Sequence, residues 1–187
     1  MCFEWVRINE VDKSLLSDFD SGSGLFNEFL TEKAQKWTDG SEAVTYVCVD
    51  EVEKETQIYT KIYGFASINT TGLQYSTIDK CRYLNCAEIR MFAIAKQLRK
   101  RHDTTIEWSK IIFKSLLQML YEMSTTVIGF KAIFLNSNKD GYHLYKECGF
   151  EEITDFISPQ EDEKVDIEEC TPLLLIINDD MLYDIFL

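Results

Sequence analysis

The sequence lacks the paired Cys-x-x-Cys motifs that are typical of structural zinc sites. None of its six cysteines forms such a pair, and its two histidines do not lie at ligand spacing from each other. The N-terminus shows no basic region followed by an apolar one. The apolar runs are far shorter than the ~20 residues of a membrane span. We therefore expect a cytoplasmic protein with free thiols, no metal site and no membrane segment.

Positive charge is also scarce. The chain has 19 Lys and Arg against 32 Asp and Glu, a net charge of −13. An acidic surface repels phosphate, which argues against nonspecific binding of nucleic acids. The exception is one short segment that holds Lys96, Arg99, Lys100 and Arg101. The opposite extreme is Glu151–Glu169, which is rich in carboxylates and is interpreted as a solvated loop.

Strand and helix signals alternate along the chain and predict one domain over residues 1–187, with an acidic loop at 157–170 and a last strand within 171–178. Strands are predicted at 3–8, 43–49, 58–68, 87–94, 127–135, 150–156 and 173–177. Helices are predicted after 20–24, from Trp108 to Met123 and at 140–147.

The order of these elements predicts the fold class. It indicates an α/β (α+β) fold, with a central mixed sheet flanked by helices on both faces. Gly64 is interpreted as a bulge or a point of close backbone approach, and Thr70–Gly72 as a strand break. Residues 73–85 are left open between a loop and a short helix. The stretch from Glu88 to Leu135 predicts a crossover between neighbouring parallel strands.

One motif carries a resemblance. The stretch Asn138–Phe150 resembles the pattern Asn-x-x-Ala-x-x-x-Tyr-x-x-x-Gly-Phe of the GNAT (Gcn5-related N-acetyltransferase) superfamily, with Gly141 in place of the usual alanine. It follows a predicted strand, which follows a long amphipathic helix and another strand, as in that family. Phe19–Leu30 and the closing strand near Thr171 are similar to bacterial GNAT proteins that include toxin–antitoxin toxins. The resemblance covers roughly residues 3–178.

The resemblance implies a splayed central sheet and an activity. Such a protein is an N-acetyltransferase that uses acetyl-CoA as co-substrate, without a metal, and transfers the acetyl group to a primary amine by direct attack in a ternary complex. Acyl transfer needs a proton for the departing thiolate, and the resemblance puts Tyr145 beside the coenzyme A sulfur as general acid. It also suggests Glu88 as a base acting through water, with His102 and His143 as alternatives.

The same resemblance implies where coenzyme A is held. The pantetheine arm pairs with the backbone of Phe92, Ala93 and Ile94 as if it were an added strand. Asn138 and Tyr142 are further candidate contacts on the short helix. The ordinary structural interpretations are a helix N-cap for Asn138 and core packing for the side chains of the strand.

The phosphate loop departs from the family pattern. GNAT proteins use Arg/Gln-x-x-Gly-x-Gly/Ala, whereas Gln97–Ser109 contains no glycine. In one interpretation side chains replace the glycine geometry. The candidate residues are Arg99, Lys100, Arg101, Ser109 and Lys110, with Thr104 and Thr105 as further hydroxyl donors. In the other, the chain is a catalytically inactive GNAT-fold interaction or regulatory module that has lost coenzyme A binding.

The acceptor amine has no legible signal in the sequence. A small molecule, a protein amine and an aminoacyl-tRNA all stay open. The toxin-like opening favours the tRNA, while the net charge of −13 argues against it. A homodimer and an antitoxin partner are likewise left open.

Overall fold

The computed structural model describes residues 3–50, 59, 61–76, 81–99, 106–153 and 170–178. Seven strands form one mixed sheet in the order β1-β2-β3-β4-β5-β7-β6, which confirms the predicted mixed fold of strands and helices. The strands are β1 (Phe3–Arg7), β2 (Val44–Asp50), β3 (Ile62–Ser76), β4 (Cys81–Ile94), β5 (Ala132–Ser137), β6 (Glu151–Glu152) and β7 (Thr171–Ile176). The α-helices are α1 (Lys13–Asp18), α2 (Gly24–Glu28), α3 (Ala34–Asp39), α4 (Trp108–Thr126) and α5 (Lys139–Glu147).

Three predictions of element boundaries are wrong. Thr70–Gly72 does not break β3, and the stretch 73–85, left open between a loop and a short helix, contains the end of β3 and the start of β4. Threonine suits a pleated strand, and buried Leu73 packs with the core, so one glycine does not end the pairing. A strand does not start at Val127 either, because its N–H donates to the Met123 carbonyl at 3.0 Å and finishes α4.

The chain divides into two compact units, and β3, β4 and α4 contribute residues to both. The first unit consists of Met1–Asn69 and Arg90–Leu116. Strands β1, β2 and β3 are antiparallel neighbours in it. The helical segment after the predicted start at 20–24 has a buried face, since Phe29, Leu30 and Ala34 are at most 2% exposed. A π-helical turn, Phe29–Lys33, joins α2 to α3.

Gly64 marks a close backbone approach, as predicted. A Cβ atom built on it would lie 2.9 Å from the Ala93 carbonyl oxygen, closer than real Cβ contacts. The next residues are hydrogen bonded, with the Ala95 N–H donating to the Tyr63 carbonyl at 2.9 Å. Any side chain at position 64 would therefore displace the end of β4.

The second unit consists of Thr70–Ile89 and Leu117–Leu187. Here β4 runs parallel to β5, from Cys86↔Ala132 to Ile89↔Leu135, which confirms the predicted neighbouring crossover strands. Strand β7 is antiparallel to both β5 and β6 and lies between them. The buried cluster under these strands contains Leu73, Cys86, Ala132, Phe134 and Leu174.

Two further sequence expectations concern cysteines and membrane segments. Cys48, Cys86, Cys148 and Cys170 are free thiols, as predicted. Among the helices of the described ranges, none is long and apolar enough to cross a membrane.

Candidate functional site

Helix α5 carries the Asn-to-Phe motif and starts where the sequence predicts. Asn138 is its N-cap: the side-chain Oδ1 accepts a hydrogen bond from the Gly141 N–H at 2.9 Å. The Asn138 carbonyl accepts from the Tyr142 N–H at 3.1 Å. The cap satisfies an amide that has no partner inside the helix, so the asparagine fixes the first turn of α5.

The end of α5 is a Schellman motif. The Phe150 N–H donates to the Tyr145 carbonyl and the Gly149 N–H to the Lys146 carbonyl, both at 3.1 Å. Gly149 has φ +87°, a left-handed conformation that a side chain disfavours. Gly149 therefore supplies the left-handed C-cap of α5, and the Gly-Phe pair of the motif has a structural role.

Tyr145 lies between these two caps. Its side chain is 8% exposed, and its ring centroid is 6.0 Å from that of Phe150. Burial, and to a smaller degree the nearby Cys148, raises the pKa of the Tyr145 phenol well above its ordinary value of 10.0. The phenol is thus fully protonated at neutral pH, the form that a proton donor requires.

The other polar residues of α5 have partners of their own. The Tyr142 hydroxyl donates to the Glu152 carboxylate on β6. This hydrogen bond, more than burial, raises the pKa of Tyr142. His143 is exposed, and its Nε2 is 2.9 Å from Glu147 Oε1 one turn along the same helix. The predicted coenzyme A contact of Tyr142 would compete with its bond to Glu152.

Glu88 lies in the paired part of β4. It is half-buried and stands opposite Phe134 in the register with β5. Cys86 is two residues away on the same strand face. Burial first, with a contribution from the charge of Glu88, raises the pKa of the Cys86 thiol to about 11. The role of Glu88 as a base stays a prediction.

In the first unit, β4 continues beyond its last pair with β5 and ends at Ile94. Phe92 is half-buried and packs edge-on against Phe113, with ring centroids 5.0 Å apart. Ala93 and Ile94 are buried. These three side chains belong to the core, as their ordinary structural interpretation predicts, and only their backbone is left for a ligand.

The start of the basic segment after β4 contacts the turn at residues 20–24. Lys96 forms an ion pair with Asp20, and its N–H donates to the Asp20 carbonyl at 2.9 Å. Gly22 has φ +79°, and a Cβ built there would lie 3.4 Å from Lys96 Cβ and 4.0 Å from Arg99 Nη1. The turn therefore packs on Lys96 and lies near the candidate cation Arg99.

This loop is also braced internally. Asn27 Oδ1 accepts from the Ser21 N–H at 2.9 Å and from the Ser21 hydroxyl at 2.7 Å. Asp20 Oδ1 accepts from the Gly22 N–H at 2.7 Å. The spacing of Asp20, Gly22 and Asn27 is the only local signal of this arrangement in the sequence.

The Asp20 ion pair predicts an acid-sensitive loop. Its bond to Lys96, followed by those from Gly22 and Asn27, lowers the pKa of Asp20 from 3.8 to about 2. Because the folded pKa is the lower one, the stabilisation is complete above pH ~4 and is lost as the pH falls toward ~2. We expect Asp20→Asn to lower the melting temperature at pH 6, and the difference from wild type to shrink toward pH 2. Asp18→Asn is the matched control. An equal pH-dependent decrease of the melting temperature in this control would contradict the stabilising role of the ion pair between Asp20 and Lys96.

Ser109 and Lys110 lie in the first turn of α4. The Lys110 N–H donates to the Glu107 carbonyl at 3.0 Å, so the helix starts after Glu107. The positive end of the helix dipole and its first amides favour an anion at this position. Five other residues of the predicted phosphate cluster and its surroundings lie outside the described ranges: Lys100, Arg101, His102, Thr104 and Thr105.

Comparison with known proteins gives matches among solved structures alone. No protein-family model and no curated protein matches the chain. A tyrosine-to-phenylalanine mutant of the toxin AtaT, bound to the C-terminus of the antitoxin AtaR and acetyl-CoA, matches with a TM-score of 0.64 at 16% identity, over 93% of this chain and 92% of that one. AtaT complexed with acetyl-methionyl-tRNAfMet matches with a TM-score of 0.65 at 14% identity, over 100% of both chains.

A second protein, KacT, is similar in fold. A tyrosine-to-phenylalanine mutant of KacT matches with a TM-score of 0.65 at 14% identity, over 94% of this chain and 95% of that one. At such identities a likeness shows the fold. The chain therefore has the fold of AtaT and KacT, and the predicted resemblance is confirmed at the level of the fold.

Proposed function

We propose that the chain is an acetyl-CoA-dependent N-acetyltransferase with Tyr145 as its general acid. The observation that carries the proposal is the capped helix α5, which holds a buried, protonated phenol directly after the strand that pairs with β4. The fold shared with a toxin solved with acetyl-CoA supports the co-substrate. Residues 1–187 are proposed to act as one catalytic domain.

The proposed reaction is direct transfer. The amine nitrogen forms a bond to the thioester carbonyl carbon, the carbon–sulfur bond breaks, and the Tyr145 hydroxyl gives its proton to the departing thiolate. The proton lost by the amine goes to a base, for which Glu88 acting through water is the candidate. The apolar surroundings that raise the pKa of Tyr145 would also raise the pKa of a coenzyme A thiol beside it.

The residues proposed to hold acetyl-CoA lie around the end of β4 and the start of α4. The backbone of Phe92–Ile94 extends past Ile89, the last β4 residue paired with β5, and would pair with the pantetheine arm. Lys96 is paired with Asp20. The phosphates are therefore assigned to Arg99, which is exposed, and to the first turn of α4 with Ser109 and Lys110.

We expect Arg99→Ala to weaken acetyl-CoA binding about 5-fold at low salt, which is ~1 kcal/mol for an exposed charge pair. The difference should shrink as salt rises, since the screening length falls from ~10 Å at 0.1 M to ~3 Å at 1 M ionic strength. Isothermal titration calorimetry at several salt concentrations measures both. Arg7→Ala is the matched control, because it removes an exposed arginine from β1.

The same titration tests the proposed function. If well-folded protein binds no acetyl-CoA at low salt, the proposal of an acetyltransferase is rejected. The alternative, a GNAT-fold interaction module, then takes its place. If acetyl-CoA binds, mass spectrometry of acetylated products identifies the acceptor class. An aminoacyl-tRNA belongs in that panel because AtaT was solved with acetyl-methionyl-tRNAfMet, although the net charge of −13 argues against it.

A further inference from the structure

Strand β3 contains one extra residue where it pairs with β2. The register joins Cys48 to Gly64, and it joins the next β2 residue, Val49, to Ile62, so two residues of β3 span one step of β2. Tyr63 is the extra residue of this register, which is the geometry of a β-bulge. Gly64 therefore lies at a bulge as well as at a close backbone approach.

The bulge lies against the end of β4. The Tyr63 carbonyl accepts a hydrogen bond from the Ala95 N–H at 2.9 Å, and a Cβ built on Gly64 would lie 2.9 Å from the Ala93 carbonyl oxygen. Both contacts on this side are made by backbone groups of alternate residues, 93 and 95. Successive residues of an extended segment direct their backbone groups to opposite edges. The N–H and carbonyl of Ile94 are therefore directed away from β3.

A side chain at position 64 can be accommodated mainly by movement of β4. Gly64 is paired with Cys48, and the built Cβ would already lie 3.6 Å from Ile112 Cγ2 on α4. Cys48 and Ile112 are both fully buried, so residue 64 has little room to retreat toward them. The atom in conflict is a backbone oxygen, which no side-chain rotation can move aside. A methyl group would push the end of β4 outward, away from β3.

The chain is fixed again directly after β4. The Lys96 N–H donates to the Asp20 carbonyl at 2.9 Å, and the Lys96 side chain forms an ion pair with Asp20. A displacement that starts at Ala93 must therefore be absorbed before Lys96. It falls on Ile94 and Ala95, and Ile94 is among the residues whose backbone is proposed to pair with the pantetheine arm.

We propose that Gly64 is a positioning residue for coenzyme A, and that the missing side chain at the β3 bulge sets the place of the backbone that binds the pantetheine arm. This inference rests on the proposed function, in which that backbone holds coenzyme A. The steric relation between β3 and β4 does not depend on any ligand, so the two can be tested separately.

The structural test is amide hydrogen exchange measured by NMR. In Gly64→Ala the Ala95 N–H should exchange about 5- to 10-fold faster than in wild type, because its bond to the Tyr63 carbonyl is strained. The buried Ile133 amide of β5 reports the opening of the whole domain and serves as the reference. An unchanged rate at Ala95, or an equal rise at both amides, would overturn the proposal.

Ligand binding tests the consequence. Adenosine 3′,5′-bisphosphate has the nucleotide end of coenzyme A, which is assigned to Arg99 and the first turn of α4, but lacks the pantetheine arm. We expect Gly64→Ala to raise the dissociation constant of coenzyme A about 5- to 20-fold, the contribution of one or two hydrogen bonds. The dissociation constant of the bisphosphate should stay within about 2-fold, because its site is separate. Titration calorimetry measures both ligands.

The matched control is Gly72→Ala, the same change on the same strand at a glycine where a built Cβ meets nothing within 4 Å. It should leave the Ala95 exchange rate and both affinities at their wild-type values. In Gly64→Ala, equal weakening of both ligands would indicate a general loosening and overturn the inference. An unchanged affinity for coenzyme A would overturn it as well. Absence of coenzyme A binding by wild type would instead reject the proposed function, and the pantetheine role with it.

Wild-type protein carries the test if Gly64→Ala does not fold. Addition of coenzyme A should slow exchange of the Ile94 amide, which is directed away from β3. The Ala95 amide, already bonded to the Tyr63 carbonyl, should keep its exchange rate. Unchanged exchange at Ile94 in the presence of saturating coenzyme A would overturn the proposal.

Discussion

Tyr145→Phe is expected to lower kcat by ~10²–10⁴, the usual contribution of a general acid. The dissociation constant of acetyl-CoA should change little, because the phenylalanine ring still packs against Phe150 and only the hydroxyl is lost. A loss confined to kcat indicates an interaction made in the transition state and not in the bound ground state. Steady-state kinetics with the identified acceptor, together with calorimetry of acetyl-CoA, measure the two quantities.

The matched control for this substitution is Tyr83→Phe, which removes a hydroxyl from a tyrosine of β4 that is 69% exposed. It should leave kcat within about 2-fold of wild type, since exposed substitutions away from special features have small effects. Full turnover by Tyr145→Phe, under conditions where a pre-steady-state burst is absent and chemistry limits the rate, would exclude Tyr145 as the acid.

Phe65→Ala is expected to give the largest loss of stability, ~3–5 kcal/mol in the free energy of unfolding. Phe65 is fully buried on β3 and contacts three other rings. Its centroid is 5.6 Å from that of Phe19, 6.4 Å from Phe26 and 5.8 Å from the stacked ring of Phe29. Truncation would leave a cavity in the middle of this group, where no single neighbour can collapse to fill it.

Such a loss is a large share of the ~5–15 kcal/mol that holds a typical domain together. Urea unfolding at equilibrium measures it, and a melting temperature roughly 10 °C lower should accompany it. Leu25→Ala is the control, since Leu25 on α2 is 61% exposed and its truncation should cost less than ~0.5 kcal/mol. Equal losses in the two variants would show that the aromatic group is not the centre of the core.

Local signals explain what could be predicted of the candidate site. Asn138 and Gly149 bound α5 because an N-cap and a left-handed C-cap depend on residues within one turn of each helix end. The parallel pairing of β4 with β5 was likewise predictable, because a strand, a long helix and another strand allow few topologies. These are the parts where spacing along the chain determines spacing in the molecule.

The parts that were missed depend on distant residues. Thr70–Gly72 has the composition of a turn, yet β3 continues because Leu73 packs in a cluster with Phe134 and Leu174. The ion pair of Asp20 with Lys96 joins residues that no local pattern connects.

The position of β7 has a consequence for synthesis of the chain on the ribosome. Strand β7 lies between β5 and β6 in the sheet. Therefore β5 gains its outer neighbour only after residues 171–176 have been synthesised. The same is true of β6, whose only partner in the described sheet is β7. Until then β5 has an open edge that can pair with another chain, and β6 has no strand with which to pair. A nascent chain stalled before β7 should therefore be prone to aggregation, and release of the last strand should complete the scaffold around α5 in one late step.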